Sequence, residues 1–177
     1  LSDGMGNGSL AAIDSSMATA LISRLAEAGV GLEATLKLVN SAMLIKSGDE
    51  SLATVDICST DLYRGSVTLY KAGAAPSYLR KGGKVGYVES SSLPAGILNS
   101  VEFEKTSLQL SAGDIIVLVS DGVTQTGEEW VLDELERFGS ENMQALCERI
   151  ATLAKLRRSE VHDDDITVFA MMLHEAA

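Results

Sequence analysis

Three short acidic motifs carry the side chains best able to do chemistry in this chain. They are Asp3-Gly4-Met5-Gly6-Asn7-Gly8 at the start, Ser120-Asp121-Gly122 in the last third, and Asp163-Asp164-Asp165-Ile166-Thr167 near the end. Each stands where a predicted strand meets a loop or helix, so folding can gather their carboxylates. Two unit charges ~4 Å apart repel by ~4 kcal/mol at an effective dielectric of ~20, and a bound divalent cation is the usual way a fold offsets that cost. Oxygen-only ligands select hard cations, magnesium or manganese, over zinc or copper. Two such ions sharing a carboxylate lower the pKa of a bound water and neutralise phosphate oxygens, which permits in-line attack on a phosphoester without a protein nucleophile. Singly, each motif has an ordinary reading: Asp-Gly is a common turn, and an acidic run is commonly a solvated element boundary. Their ordered combination in one chain is what points to a metal-dependent hydrolase.

The elements that must position these residues follow from the apolar spacing. Leu10, Ile13, Met17, Leu21, Leu25 and Ala28 recur at helical intervals, and Gly29 stands where that helix stops. A second helix, Leu32 to Lys46, shows Leu32, Leu36, Val39 and Met43 on one face and Leu38, Ala42 and Ile45 on another, so one of its faces awaits cover or a partner. Strands are predicted at Leu52–Ser59, Ser66–Ala72, Ser77–Arg80, Lys84–Val88, Thr106–Leu110, Asp114–Ser120 and Ile166–Leu173, with short glycine-containing turns that favour antiparallel hairpins. Two more helices fit Glu128–Phe138 and Glu141–Leu156. Paired helices, a block of hairpins, two helices and a closing strand read as α+β, layered sheets covered by helices. Ile115–Val119 is continuously apolar and so buried on both faces, which delivers Ser120 and Asp121 at its end. Asp164 and Asp165 lead into the final strand, so antiparallel neighbours would bring both carboxylate groups to one sheet end.

Other chemistries fit less well. Cys58-Ser59-Thr60-Asp61-Leu62-Tyr63-Arg64 has the Cys-x5-Arg spacing of cysteine-dependent phosphatases, but its interior holds no glycine, carries the repelling Asp61 and runs into a hairpin turn. Gly4 to Gly8 ahead of a helix could be a nucleotide-binding loop, but the parallel strand with an acidic end that should follow is missing. A non-catalytic, partner-binding module is the remaining alternative. His162 and His174 read as solvated, and Trp130 as a core anchor.

The 177 residues are 46% hydrophobic, enough for one domain with a sizeable core, residues 1–177. A formal net charge of -11 argues against nucleic acid as a partner. No apolar run is long enough to span a bilayer, and no leader pattern is present, so the chain is expected to be soluble, without membrane contact of its own. Two cysteines, Cys58 and Cys147, with no Cys/His cluster, suit a reducing, cytoplasmic compartment.

Ser2-Asp3-Gly4-Met5-Gly6-Asn7-Gly8, Ser120-Asp121-Gly122-Val123 and Asp164-Asp165-Ile166-Thr167-Val168 resemble the metal-binding motifs of the PPM-type, protein phosphatase 2C-like, serine/threonine phosphatases. Thr54-Val55-Asp56-Ile57, Lys71 to Ser77 and Ser91 to Ile97 are similar to the bacterial branch typified by stage II sporulation protein E. The resemblance implies a β-sandwich flanked by helices (αββα) and a pair of Mn²⁺ or Mg²⁺ ions. Carried over by motif, Asp3 bridges both metals, the Gly4 carbonyl binds one, and Asp121 and Asp164 complete the other. Asp165 stands behind the ligands rather than on the metal, and Asp163 is assigned to the surface. It further implies a phosphoserine on an anti-anti-sigma factor as substrate, with release of a sporulation sigma factor, and a parent protein anchored in the membrane by segments not present here. The helix pair of residues 9–47 resembles a regulatory switch tied to a partner or to homodimerisation. Family members have strands before the first motif, so the chain is expected to be an N-terminally truncated fragment, weakly active or inactive, with Asp3 loosely held.

Overall fold

The computed structural model describes residues 1–6, 8–46, 51–99, 103–158 and 164–175. In chain order the elements are α1 (Ser9–Glu27), α2 (Leu32–Lys46), β1 (Val55–Asp61), β2 (Ser66–Ala72), β3 (Ser77–Lys81), β4 (Lys84–Val88), β5 (Glu104–Gln109), β6 (Ile115–Val119), α3 (Asp121–Thr124), α4 (Glu129–Arg137), α5 (Met143–Arg157) and β7 (Val168–Met172). The strands form two sheets, one ordered β1-β2-β5 and the other β4-β3-β6-β7. This is the expected α+β class. Among the described residues no helix is long and apolar enough to cross a membrane.

The chain gathers into two compact units. The first comprises Leu1–Cys58, Leu69–Ala74 and Ser90–Lys105. Its core takes Ala18 from α1 and the Leu36, Val39 and Met43 face of α2, packed with Val55, Tyr70, Ala72 and Ala95. The other face of α2 is left out of that core: Leu38 is 51% exposed and Ile45 86%. A Lys46–Asp14 ion pair ties the end of α2 to α1. Deeper in the unit, Lys71 and Asp56 form a second ion pair at 2.7 Å, each side chain 1% exposed.

The second unit comprises Ser59–Thr68, Ala75–Glu89 and Thr106–Ala177. β6 is central in its sheet, antiparallel to β3 on one side and to β7 on the other, and every residue of Ile115–Val119 is buried as its unbroken apolar run requires. β3 and β4 form a hairpin whose Lys81↔Lys84 pair is joined through Gly82 and Gly83, both at positive φ. Tyr78, Ile115, Val117 and Val119 supply the sheet side of a core that α4 closes with Trp130, Val131 and Leu135, and α5 with Leu146, Ile150 and Ala154. Trp130 is the core anchor its sequence context suggests.

Two differences from the sequence expectations bear on function. The last strand begins at Val168 rather than Ile166: ahead of it, Asp165 O and Thr167 N–H are bonded by the Ser120 side chain rather than by a backbone ladder. The start of the chain is not loose. Residues 1–5 run antiparallel to residues 52–56, with Met5 N–H donating to Leu52 O, Thr54 N–H to Asp3 O and Asp56 N–H to Leu1 O at 2.7–2.9 Å. The terminal amine donates to Asp56 O at 2.8 Å. Backbone pairing of this kind is what holds a terminus that would otherwise fray.

Candidate metal centre

In the second unit β6 ends at Val119, Ser120 continues in extended conformation, and Asp121 opens the single turn of α3. The Ser120 hydroxyl acts in both directions. It donates to the Asp165 carbonyl at 2.7 Å and accepts from the Thr167 amide at 2.9 Å, while Ser120 N–H donates to Thr167 O at 3.0 Å. Three bonds therefore clamp the end of β6 to the segment that carries Asp164. Gly122 completes the clamp by its lack of a side chain: a Cβ there would sit 2.5 Å from the Asp165 carbonyl oxygen. Any other residue would force the two segments apart.

The result is that carboxylate oxygens of Asp121 and Asp164 lie within 4.8 Å of one another. Asp121 is exposed and Asp164 half-buried. One Asp164 oxygen accepts from the Gln125 side-chain amide at 3.1 Å and the other from the Asp165 amide at 2.9 Å. Its carbonyl accepts from the Arg158 guanidinium at 3.0 Å. An Asp121 oxygen accepts from the Gly122 amide at 3.0 Å. Among the described residues neither carboxylate has an ion-pair partner within 4.0 Å, and the donors to their oxygens are the neutral Gly122, Asp165 and Gln125 amides. An all-oxygen pair of this kind fits a hard divalent cation. Asp165 is exposed and contributes its backbone to the clamp. Asp163 and His162 lie outside the described residues.

Asp3 and Gly4 belong to the first unit. Asp3 is half-buried, and Thr54 holds its backbone from both sides: Asp3 N–H donates to the Thr54 hydroxyl at 2.9 Å, and Thr54 N–H donates to Asp3 O at 2.7 Å. Gly4 is buried against α1, where an added Cβ would meet Ala11 O at 1.8 Å. The Asp3-Gly4 backbone and α1 are thus in direct van der Waals register.

Cys58 lies within β1 and is followed by extended backbone to Asp61. The turn beyond is closed by Gly65 N–H to Asp61 O at 2.8 Å, and the Asp61 carboxylate takes the Tyr63 and Arg64 amides. The amides that would wrap a phosphate in a cysteine-dependent enzyme are therefore spent on Asp61. Sequence reasoning saw Ser120 only as part of a motif and missed Gln125 and Arg158. Ser120's partners are 45 and 47 residues away, so no local pattern could reveal them.

Comparison with known proteins matches residues 1–174 to the family described as Stage II sporulation protein E (SpoIIE). The chain is 30% identical over 179 residues to stage II sporulation protein E of Bacillus subtilis (strain 168), covering 98% of this chain and 22% of that protein. It is 26% identical over 174 residues to the B. subtilis phosphoserine phosphatase RsbU, covering 93% of this chain and 52% of RsbU. The chain thus spans under a quarter of the sporulation protein and about half of RsbU. Among solved structures, the PP2C phosphatase domain of B. subtilis SpoIIE with a fragment of its regulatory domain superposes with a TM-score of 0.84 at 30% identity, over 96% of this chain and 52% of that one. The SpoIIE phosphatase domain presoaked with Mn matches with a TM-score of 0.63 at 28% identity, over 90% of this chain and 73% of that one. With its PP2C-like α+β fold and its Ser-Asp-Gly and Asp-Asp-Ile-Thr segments clamped together, this chain belongs to the SpoIIE family of phosphatase domains.

Proposed function

We propose that this protein is a metal-dependent protein serine phosphatase that uses Asp3, the Gly4 carbonyl, Asp121 and Asp164 to hold Mn²⁺ or Mg²⁺. The convergence of Asp121 and Asp164 in a SpoIIE-family chain carries this reading. When bound, a pair of such cations supplies charge to the phosphate oxygens and an activated water. The chain's own residues do the positioning. Ser120 and Gly122 set the Asp121–Asp164 separation, and Gln125 and the Asp165 amide fix the rotation of the Asp164 carboxylate. Asp3 comes from a backbone anchored on Thr54. The substrate in this reading is a phosphoserine protein of the anti-anti-sigma class, whose dephosphorylation frees a sporulation sigma factor in the cytoplasm. The name of the relative RsbU, a phosphoserine phosphatase, supports that chemistry. The test is hydrolysis of a phosphoserine peptide and of para-nitrophenyl phosphate with and without metal. Turnover is expected only with Mn²⁺ or Mg²⁺ and is expected to survive alkylation of Cys58; turnover in excess chelator, or its stoichiometric loss on labelling Cys58, sinks the mechanism.

The same reading assigns the α1–α2 pair to regulation. Gly4 is pressed against Ala11, so a tilt of α1 moves the Asp3-Gly4 backbone, and the exposed Leu38 and Ile45 face of α2 is available to a partner or a second copy of the chain. Binding there shifts metal affinity only through different affinities for two states. Leu38→Glu and Ile45→Glu are expected to change Mn²⁺ affinity or oligomeric state, and identical values in all three proteins would show the face to be passive.

A further inference from the structure

The main chain at Asp164 is held by a residue from a third element, the end of α5. That helix stops at Arg157, and Arg158 leaves it in extended conformation while its backbone N–H still donates to Ala154 O at 3.2 Å. Leu146, Ile150 and Ala154 seat the helix in the core, so the backbone of Arg158 starts from a fixed base. Its side chain is half-buried, and a guanidinium N–H donates to the Asp164 carbonyl at 3.0 Å. That carbonyl and the Asp165 N–H belong to one peptide group, which is planar, so holding one end fixes the direction of the other. The Asp165 N–H in turn donates to Asp164 Oδ1 at 2.9 Å. The guanidinium therefore acts on the carboxylate through a rigid unit. Gln125 takes the second oxygen, Oδ2, at 3.1 Å, and the Ser120 hydroxyl holds the next carbonyl, Asp165 O, at 2.7 Å.

We propose that Arg158 is a positioning residue for the metal centre: it fixes the plane of the Asp164–Asp165 peptide and, through it, the rotation of the Asp164 carboxylate. The inference rests on the metal-dependent phosphatase reading and adds a residue to that site. A bond from a guanidinium to a carbonyl is charge-assisted, roughly twice as strong as one between neutral groups. Without it the peptide plane can turn and withdraw the Asp165 N–H from Oδ1. Groups that orient a metal ligand in this way typically change metal affinity ~10- to 100-fold. Charge alone predicts the opposite sign, because a cationic side chain repels a divalent cation and its removal would tighten binding. The two accounts are thus separated by the direction of one measured change.

The wild type, Arg158→Met and Arg158→Lys are titrated with Mn²⁺ by calorimetry in the absence of substrate. Arg158→Met is expected to bind Mn²⁺ ~10-fold or more weakly, and Arg158→Lys, which can still offer an N–H to the same carbonyl, to recover most of the loss. Urea unfolding in chelator identifies conditions in which each variant is fully folded, so that a loss of affinity is not a loss of fold. If Arg158→Met does not fold, Arg158→Gln takes its place, since its amide ends short of the guanidinium's terminal nitrogens. Unchanged affinity in a folded variant would make Arg158 merely structural, and raised affinity would leave only charge repulsion; either overturns the proposal. Initial rates with a phosphoserine peptide give a second readout. The deficit of Arg158→Met is expected to shrink as Mn²⁺ is raised, whereas a raised KM for the peptide with wild-type Mn²⁺ affinity would make Arg158 a substrate contact and overturn the positioning role. If the wild type binds Mn²⁺ and hydrolyses no phosphoester, the phosphatase reading fails while the effect of Arg158 on affinity is still measured.

Discussion

Asp121→Asn is expected to reduce Mn²⁺-dependent turnover by at least ~100-fold while leaving the fold intact. Residues that merely orient a ligand typically cost ~10- to 100-fold when removed, so loss of a ligand charge lies at or beyond the top of that range. The asparagine side chain keeps the volume and can still accept the Gly122 amide, which bonds the aspartate at 3.0 Å. What it lacks is the negative charge that offsets a divalent cation. Ser120→Ala is the graded companion. It removes the hydroxyl that links Asp165 O and Thr167 N–H, leaving a donor unmet at a cost of ~1–3 kcal/mol, and lets the Asp121 and Asp164 segments drift. Mn²⁺ affinity is expected to fall ~10-fold or more, and Ser120→Thr, which keeps the hydroxyl, should restore most of it. Calorimetric titration with Mn²⁺ beside initial rates checks both substitutions. Wild-type affinity and turnover in Asp121→Asn would remove Asp121 from the metal site.

The second large effect is on stability and comes from the other unit. Lys71→Met is expected to destabilise the protein by ~3–5 kcal/mol, because it removes the buried ammonium that pairs with the Asp56 carboxylate at 2.7 Å. Burial already holds the Lys71 ammonium below the usual lysine pKa, an effect that exceeds the pull of Asp56 in the other direction. Lys71→Met combined with Asp56→Leu should recover most of the loss, since replacing both partners of a buried pair by apolar groups is often neutral. Equilibrium unfolding in urea of the two single variants and the double decides it. A double variant no more stable than Lys71→Met would mean that the side chains matter by shape rather than charge. The pair also bears on Asp3, the first ligand in the proposed metal site. Asp56 bonds the terminal amine through its carbonyl and Leu1 O through its amide, so the segment carrying Asp3 is tied to the residue that Lys71 pairs with.

Much of the secondary structure was legible from local pattern. The α2 helix, Leu32–Lys46, and the strands Ser66–Ala72 and Lys84–Val88 have the limits that apolar spacing and glycine turns assign, because those signals act within a few residues. The continuous run Ile115–Val119 announced a buried strand, and two of the acidic motifs announced carboxylates that meet, Asp121 and Asp164. The two faces of α2 were visible in the spacing as well. Which one is covered, Leu36, Val39 and Met43 rather than Leu38 and Ile45, was settled by packing against β-strand residues far away in sequence.

The sequence by itself determined the chemistry on offer: carboxylates at Asp3, Asp121 and Asp164 on an acidic chain, with strands and helices to carry them. Only the tertiary structure decided how they are held. Residues 1–5 looked like a fraying end and are instead paired with residues 52–56, because free backbone donors and acceptors find partners wherever the fold brings them. Ile166 and Thr167 looked like strand and are instead loop, because Ser120 bonds Asp165 and Thr167 across a separation no periodicity encodes. Trp130 read as a core residue and is one, yet it also walls a pocket with Arg157 over its ring. A side chain's type limits what it can bond, while its partners depend on contacts between distant residues, and those exist only once the chain has folded.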